Sequence, residues 1–180
     1  MSLPNLLTIL RILLVPLAVW LIITDQYVAA FAVFVIAGVT DAVDGFIAKH
    51  FDAVTELGAY LDPLADKLLL VSMYVALGIQ NYLPDWLVIV VVSRDVLIIG
   101  AVILSWLVGN PVRIKPLLLS KANTVAQITL AAVVLGLLAV NHFSPGLVHW
   151  GALLTAFLTA ASGGQYMVAW MNHMAGNREG

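Results

Sequence analysis

The chain alternates between long apolar stretches and short polar separators. Six of the apolar stretches are long enough to cross a bilayer as helices, which takes about 20 residues each. The separators are rich in Asp, Asn, Gly and Pro, which are typical turn residues. Helices are predicted over residues 3–24, 27–50, 57–81, 84–109, 119–141 and 146–172. The pattern therefore predicts an all-α integral membrane protein with six transmembrane helices in a single domain, residues 1–180.

Composition supports lipid as the solvent for much of this surface. Hydrophobic residues make up 62% of the chain and charged residues only 10%, against about 45–50% and about 25% in soluble domains. The net charge of −2 excludes a general nucleic-acid-binding surface. The chain has no cysteine, which excludes disulfides and thiolate metal sites. Residues 1–5 lack the basic start of a signal peptide, so the first apolar segment is expected to remain as a membrane helix.

The basic residues predict the orientation of the helices. With six spans both termini lie on one side, and the loops of the opposite side contain no Lys or Arg. The basic residues of the first side are Lys49, Arg113, Lys115, Lys121 and Arg178. Because basic loops stay in the cytoplasm, both termini are expected there, in a bacterial inner membrane.

Four aspartates stand out among the charges of the predicted helices. Asp41 and Asp44 are three residues apart, and Asp62 and Asp66 are four apart, so each pair shares one helix face. Both pairs fall toward the cytoplasmic side. Four clustered carboxylates would repel each other unless cations neutralised them, and hard divalent cations prefer such oxygen ligands. The spacing indicates a site for two divalent cations, Mg²⁺ or else Mn²⁺, although a proton-transport role for the aspartates stays open.

Two glycines flank the same cluster. Gly45 follows Asp44, and Gly58 lies four residues before Asp62. A glycine lets a ligand or another backbone approach closely, although helix packing in membranes uses glycine in the same way.

The segment around these aspartates resembles a known signature. Residues 41–66 read D-A-V-D-G-F-I-A-K, then eight residues, then G-A-Y-L-D-P-L-A-D. This resembles D-x2-D-G-x2-A-R-x8-G-x3-D-x3-D of the CDP-alcohol phosphotransferases. Lys49 replaces the usual arginine, and a lysine lacks the planar fork for a bidentate phosphate contact. The opening Pro4–Thr8 with Arg11 is also similar to bacterial and mitochondrial members.

The resemblance implies a fold and a chemistry. The fold is six helices around a polar cavity open to the cytoplasm, commonly in a homodimer. The reaction is transfer of a phosphatidyl group from a CDP-linked lipid, CDP-diacylglycerol, to an alcohol, with release of CMP. Asp66 would be the general base as well as a metal ligand beside Asp41, Asp44 and Asp62. The resemblance places the CDP pocket at Asn5, Thr8, Gly45, Ala48, Lys49, Thr55 and Gly58.

Two branches of the family compete for the acceptor. The branch that uses glycerol 3-phosphate typically has S-R-E, an arginine seven positions later, and G-K-x-K-T. This chain has Asp95, Val102 and Asn123 at the differing positions, so two cations for a phosphate dianion are missing. Its strings S-R-D-V from Ser93 and K-P-x3-S-K-x-N-T-x2-Q from Lys115 resemble the CMP-forming cardiolipin synthase branch. Ser162, Gly163 and Tyr166 fit that branch too, which makes phosphatidylglycerol the favoured acceptor.

Three basic residues are candidates for binding the acceptor phosphate: Arg94, Arg113 and Lys121. An equally good reading of Arg94 is a buried ion pair with Asp95, packed against neighbouring helices. Basic residues at the interface also attract anionic lipid headgroups in general. The rival class of function is a cation or proton transporter, because membrane carboxylates also mark ion pathways.

Overall fold

Six α-helices account for most of the chain. The computed structural model describes residues 3–50, 56–108 and 118–176, and within them the side chains of residues 8–41, 65, 67–105, 107–108 and 118–172. The helices are α1 (Leu3–Ile23), α2 (Tyr27–His50), α3 (Glu56–Ile79), α4 (Asp85–Leu107), α5 (Leu118–Ala139) and α6 (Pro145–Gly176). The predicted helix bounds are confirmed to within four residues, and no strand occurs in the described ranges.

Helices α1, α3 and α5 end in the same kind of cap. The second residue after each helix lies in the left-handed region: Asp25 (φ 58°), Asn81 (φ 60°) and Asn141 (φ 52°). In α1 the backbone N–H of Gln26 donates to the carbonyl of Leu21 at 2.8 Å, and equivalent bonds close the other two helices. Asp and Asn adopt this conformation more readily than other non-glycine residues. The predicted turns after these helices are therefore confirmed, with a local cause.

Contacts divide the chain into two compact units, of which the first contains α1, α2, α3 and the last part of α5. Helix α1 packs against both α2 and α3. Small side chains allow this close approach, as is usual between membrane helices. Fully or almost fully buried alanines on these three helices are Ala18, Ala30, Ala37, Ala65 and Ala76.

Aromatic side chains join three turns at one end of the first unit. The Tyr27 and Tyr82 rings meet edge to face with centroids 5.5 Å apart, and their hydroxyls are 3.0 Å apart. The Phe143 ring lies 5.2 Å from Tyr82. The α1–α2, α3–α4 and α5–α6 turns are therefore in contact through these three side chains.

The second unit contains α4, the first part of α5 and nearly all of α6. Its apolar core includes Leu87 and Val91 of α4 and Val148 of α6. Gly151 lies against Leu130, and a Cβ at that position would be 2.8 Å from the leucine Cδ1. A glycine fits there because any Cβ would force the end of the buried Leu130 side chain to move.

Large apolar side chains face outward on all six helices, among them Leu13, Val28, Ile79, Ile89, Val125 and Phe157. Three helical stretches of the described residues are long and apolar enough to cross a membrane: Asp85–Ser105, Leu118–Ala139 and Pro145–Asn172. In the other helices the apolar part with described side chains is shorter: Thr8–Ile23, Tyr27–Asp41 and Lys67–Ile79. Outward apolar faces of this extent require a lipid environment, so the chain is an integral membrane protein.

Candidate functional site

Asp41 is the one member of the predicted metal cluster whose side chain is described. Its carboxylate Oδ1 accepts from Nη1 of Arg11, on α1, at 2.9 Å. Arg11 is 1% exposed and Asp41 is 42% exposed. The arginine is thus buried in the helix contact, whereas part of the carboxylate stays accessible. An arginine held inside a membrane helix needs such a partner, and here the partner is a predicted metal ligand.

The other three aspartates lie on the helices that their spacing predicted. Asp44 belongs to α2, and Asp62 and Asp66 belong to α3. Their side chains are outside the described set, so a shared site of all four stays a prediction. No group of three or more His, Cys, Asp or Glu side chains that could hold a metal ion occurs among the side chains that are described.

The predicted CDP pocket is described at one residue only. Thr8 is fully buried on α1, one helical turn before Arg11. This places a residue of the predicted pocket on the same helix face as the arginine that binds Asp41. The predicted pocket residues outside the described side chains are Asn5, Gly45, Ala48, Lys49, Thr55 and Gly58.

In the second unit, a buried clamp surrounds Arg94. Its Nη1 donates to Oδ1 of Asp95 at 2.7 Å, and its Nη2 donates to the hydroxyls of Ser120 and Ser162, each at 2.8 Å. The guanidinium carbon lies 5.5 Å from the centre of the Tyr166 ring, within cation–π range. Arg94 and Asp95 are each 8% exposed as residues. The clamp ties α4, α5 and α6 together through one cation.

The clamp does not use all the hydrogen-bond donors of the Arg94 guanidinium. Arginine has five N–H donors, and the three hydrogen bonds to Asp95, Ser120 and Ser162 use three of them. Nε has no hydrogen-bond partner among the described residues. The expected ion pair of Arg94 and Asp95 is therefore confirmed, and donor capacity remains for a further acceptor.

A second polar network joins α5 and α6. The Thr159 hydroxyl lies 2.7 Å from Oδ1 of Asn123 and 2.7 Å from the carbonyl of Thr155, and Nε2 of Gln127 lies 3.4 Å from it. Asn123 is fully buried, and its Nδ2 has no partner within the described part of the chain. Position 123, where the glycerol 3-phosphate branch has a lysine, is therefore a neutral residue packed between two helices.

Of the two other candidates for binding the acceptor phosphate, the structure describes Lys121 but not Arg113. Lys121 is exposed in the first turn of α5, directly after the Ser120 that contacts Arg94. Arg113 lies outside the described residues. The contacts of Ser120, Ser162 and Thr159 were not predicted from the sequence. A signal was present for the two serines, since both belong to strings that resemble the same branch.

A groove lies between α4 and α6 beside the clamp. A cavity of about 360 Å³ is lined by Ile89 and Leu97 of α4 and by Ala160 and Met167 of α6, with Arg94 in its wall. A smaller cavity of about 30 Å³ shares Arg94, Leu97 and Met167 and continues to Trp170. The indole Nε1 of Trp170 donates to Ser105 at 2.8 Å. The groove is mainly apolar, with a cation partway along it.

Comparisons with known proteins agree with this chemistry. The family model of the CDP-alcohol phosphatidyltransferases matches residues 1–160. A cardiolipin synthase (CMP-forming) of Homo sapiens is 36% identical, over 92% of this chain and 60% of its own length. A CDP-diacylglycerol–glycerol-3-phosphate 3-phosphatidyltransferase of Pseudomonas fluorescens is 33% identical over 91% of this chain and 84% of its own. The Bacillus subtilis enzyme of the same name is 31% identical, covering 92% and 93%. The chain spans about 60% of the length of the first cardiolipin synthases it matches.

Proposed function

Because the chain belongs to the CDP-alcohol phosphatidyltransferase family, we propose that it is an enzyme that transfers a phosphatidyl group from CDP-diacylglycerol to phosphatidylglycerol. The products are cardiolipin and CMP. The similarity to CMP-forming cardiolipin synthases over 92% of the chain supports this choice. The observation that carries the proposal is Asn123. This residue is buried and neutral, so it offers no cation where a phosphate dianion would need one.

The proposed catalytic site consists of Asp41, Asp44, Asp62 and Asp66. Members of the family generally depend on divalent cations, and four carboxylates are the oxygen donors that Mg²⁺ or Mn²⁺ prefers. The accessible carboxylate of Asp41 fits such a role, because Arg11 fixes it without covering it. Two cations bound there would supply positive charge to the pyrophosphate of the donor.

The protein residues then have separate tasks. Asp66 takes the proton from the acceptor hydroxyl, whose oxygen forms a bond to the lipid-side phosphorus. The bond from that phosphorus to CMP breaks, and CMP leaves with the bonding electron pair. Residues proposed to hold CDP are Asn5, Thr8, Gly45, Ala48, Lys49, Thr55 and Gly58. Arg94, Lys121 and Arg113 are proposed to bind the acceptor phosphate, for which Arg94 has unused donors and Lys121 is exposed beside the clamp.

The proposed arrangement has six membrane spans in one domain of residues 1–180, around a polar cavity that opens to the cytoplasm. Both termini lie on that side of a bacterial inner membrane, and a homodimer is the proposed assembly. The turns at residues 24–26, 80–84 and 140–144 are joined by aromatic contacts and contain no Lys or Arg. This supports the proposal that they lie on the side of the membrane opposite to the termini. Since the chain has no cysteine, Gln26→Cys and Arg178→Cys each give a single labelling site. In intact cells an impermeant maleimide should label only the first.

The acceptor is tested with purified protein. CDP-diacylglycerol is supplied with either phosphatidylglycerol or glycerol 3-phosphate, and the lipid product is identified by mass. Cardiolipin and CMP are expected with phosphatidylglycerol. The second candidate, synthesis of phosphatidylglycerophosphate, is favoured by the relatives that carry that name. Product with glycerol 3-phosphate alone would establish that candidate and overturn the first.

The base is tested by Asp66→Asn in the same assay. The amide keeps the size of the side chain but cannot accept the proton, so CMP release should fall by at least about 100-fold. Asp25→Asn, in the exposed α1–α2 turn, is the matched control and should have wild-type activity. Unchanged CMP release from Asp66→Asn would exclude this residue as the base.

A further inference from the structure

The groove between α4 and α6 has walls suited to hydrocarbon. Ile89, Leu97 and Met167 line it and are 64%, 56% and 40% exposed, so the groove opens toward the outside of the helices. Its lining belongs to two stretches that are apolar enough to span a membrane, Asp85–Ser105 and Pro145–Asn172. Any occupant therefore enters from lipid.

Small residues of α6 create the space. Ala160 and Gly164 both line the larger cavity and lie one turn apart. A Cβ added at Gly164 would have no neighbour within 4 Å. At the adjacent Gly163 the Arg94 side chain packs against α6: a Cβ at this position would lie 3.4 Å from Cγ of the arginine. The floor of the groove thus combines open space with a cation.

The length of the groove decides how much of a lipid chain it can hold. From Ile89 to Ala101 on α4, and from Thr159 to Trp170 on α6, the two cavities extend about 17 Å at 1.5 Å per residue. One leaflet of a bilayer contributes about half of the roughly 30 Å hydrocarbon core. Arg94 lies partway along the groove, so that about 8 Å of groove extends toward the first residue of α4 and about 10 Å toward its last residue, which is room for part of an acyl chain on either side of the cation.

We propose that this groove binds one acyl chain of the acceptor lipid, with the phosphodiester of that lipid at the Arg94 guanidinium. This rests on the proposed function and names where its acceptor binds. The charges agree: Arg94, Asp95 and Lys121 sum to +1, which complements the single negative charge of a phosphodiester. A water-soluble acceptor such as glycerol 3-phosphate would have no use for an apolar groove of this length.

The test fills the groove. Gly164→Leu extends a side chain from a Cβ position that has no neighbour within 4 Å, and Gly100→Leu, which starts from an equally open Cβ position but does not line the groove, is the matched control. Cardiolipin formation is measured with dioleoyl and with dihexanoyl phosphatidylglycerol. Gly164→Leu should raise KM for the long-chain acceptor about tenfold, equivalent to about 1.4 kcal/mol. The rise for the short-chain acceptor should be much smaller, and Gly100→Leu should match the wild type.

Each other outcome decides against the groove. Equal KM changes for both acceptors would mean that the substitution acts on the headgroup site or on the fold. No change for either would mean that only bulk lipid occupies the groove. If Gly164→Leu fails to fold, Gly164→Ala and Ala160→Leu are measured in the same way and should discriminate in the same direction. A wild-type protein that makes no cardiolipin from either phosphatidylglycerol would instead refute the proposed function.

Discussion

Both units of the molecule bury an arginine against an aspartate, yet the two pairs have different surroundings. Arg11 and Asp41 come from separate helices, and the carboxylate remains 42% exposed. Arg94 and Asp95 are neighbours in sequence, and both are buried together with the hydroxyls of two further helices. The first pair leaves a carboxylate accessible, whereas the second is exposed by less than a tenth, where Arg94 lines the groove.

This difference indicates what each arginine contributes. Enclosed charges in a membrane helix cost several kcal/mol unless they are paired, so the Arg94 clamp chiefly decides whether α4, α5 and α6 assemble. The Arg11 pair constrains one oxygen of a side chain that can still reach a ligand. It resembles the contacts that orient metal-binding carboxylates from behind. Substitution of the two arginines should therefore separate stability from metal binding.

The largest effect is expected from Arg94→Met. It removes the cation and leaves the buried Asp95 carboxylate and the Ser120 and Ser162 hydroxyls without their arginine partner. Loss of one partner of a buried pair costs about 3–5 kcal/mol, or roughly 10 °C in melting temperature for a chain of this size. Thermal unfolding in detergent micelles measures it. Arg94→Met with Asp95→Asn should recover part of the loss, because the buried carboxylate charge is then removed together with the guanidinium. A melting temperature within about 2 °C of the wild type in the single variant would mean that the clamp does not hold the helices.

Arg11→Met should have a smaller effect on stability and a specific effect on metal binding. Contacts behind a metal ligand are worth about 10- to 100-fold in metal affinity or activity. Mn²⁺ affinity of the purified protein, measured by calorimetric titration, should fall within that range, and Arg11→Lys should restore part of it. The Arg94→Met variant, where it remains folded, should bind Mn²⁺ as the wild type does. If Arg11→Met lowered the melting temperature but left Mn²⁺ affinity unchanged, the two arginines would have the same structural role.

The parts of the fold that were predictable are those with local causes. Helix bounds follow from the lengths of the apolar stretches, and the caps follow from single residues, Asp25, Asn81 and Asn141, that tolerate the left-handed region. The pairing of Arg94 with Asp95 was also within reach, because the residues are adjacent.

The contacts of both arginines with distant residues were not predictable in this way. Arg11 and Asp41 are separated by a whole turn and most of two helices, and Ser162 is 68 residues from Arg94. No periodicity encodes such a contact, since it depends on which helix faces meet. The four-aspartate cluster was derived from spacing and topology, and it remains a prediction for Asp41, Asp44, Asp62 and Asp66 alike.

The smallest expected effect concerns two neighbouring glycines of α6. Gly163→Ala and Gly164→Ala each gain up to about 1 kcal/mol of helix propensity, but only the first places a Cβ against Arg94, at 3.4 Å from its Cγ. Gly164→Ala should therefore raise the melting temperature by about 2–4 °C. Gly163→Ala should gain less, because its methyl group comes into van der Waals contact with Arg94 and restricts the movement of that side chain. Equal gains would mean that contact with a methyl group at position 163 does not limit the Arg94 side chain.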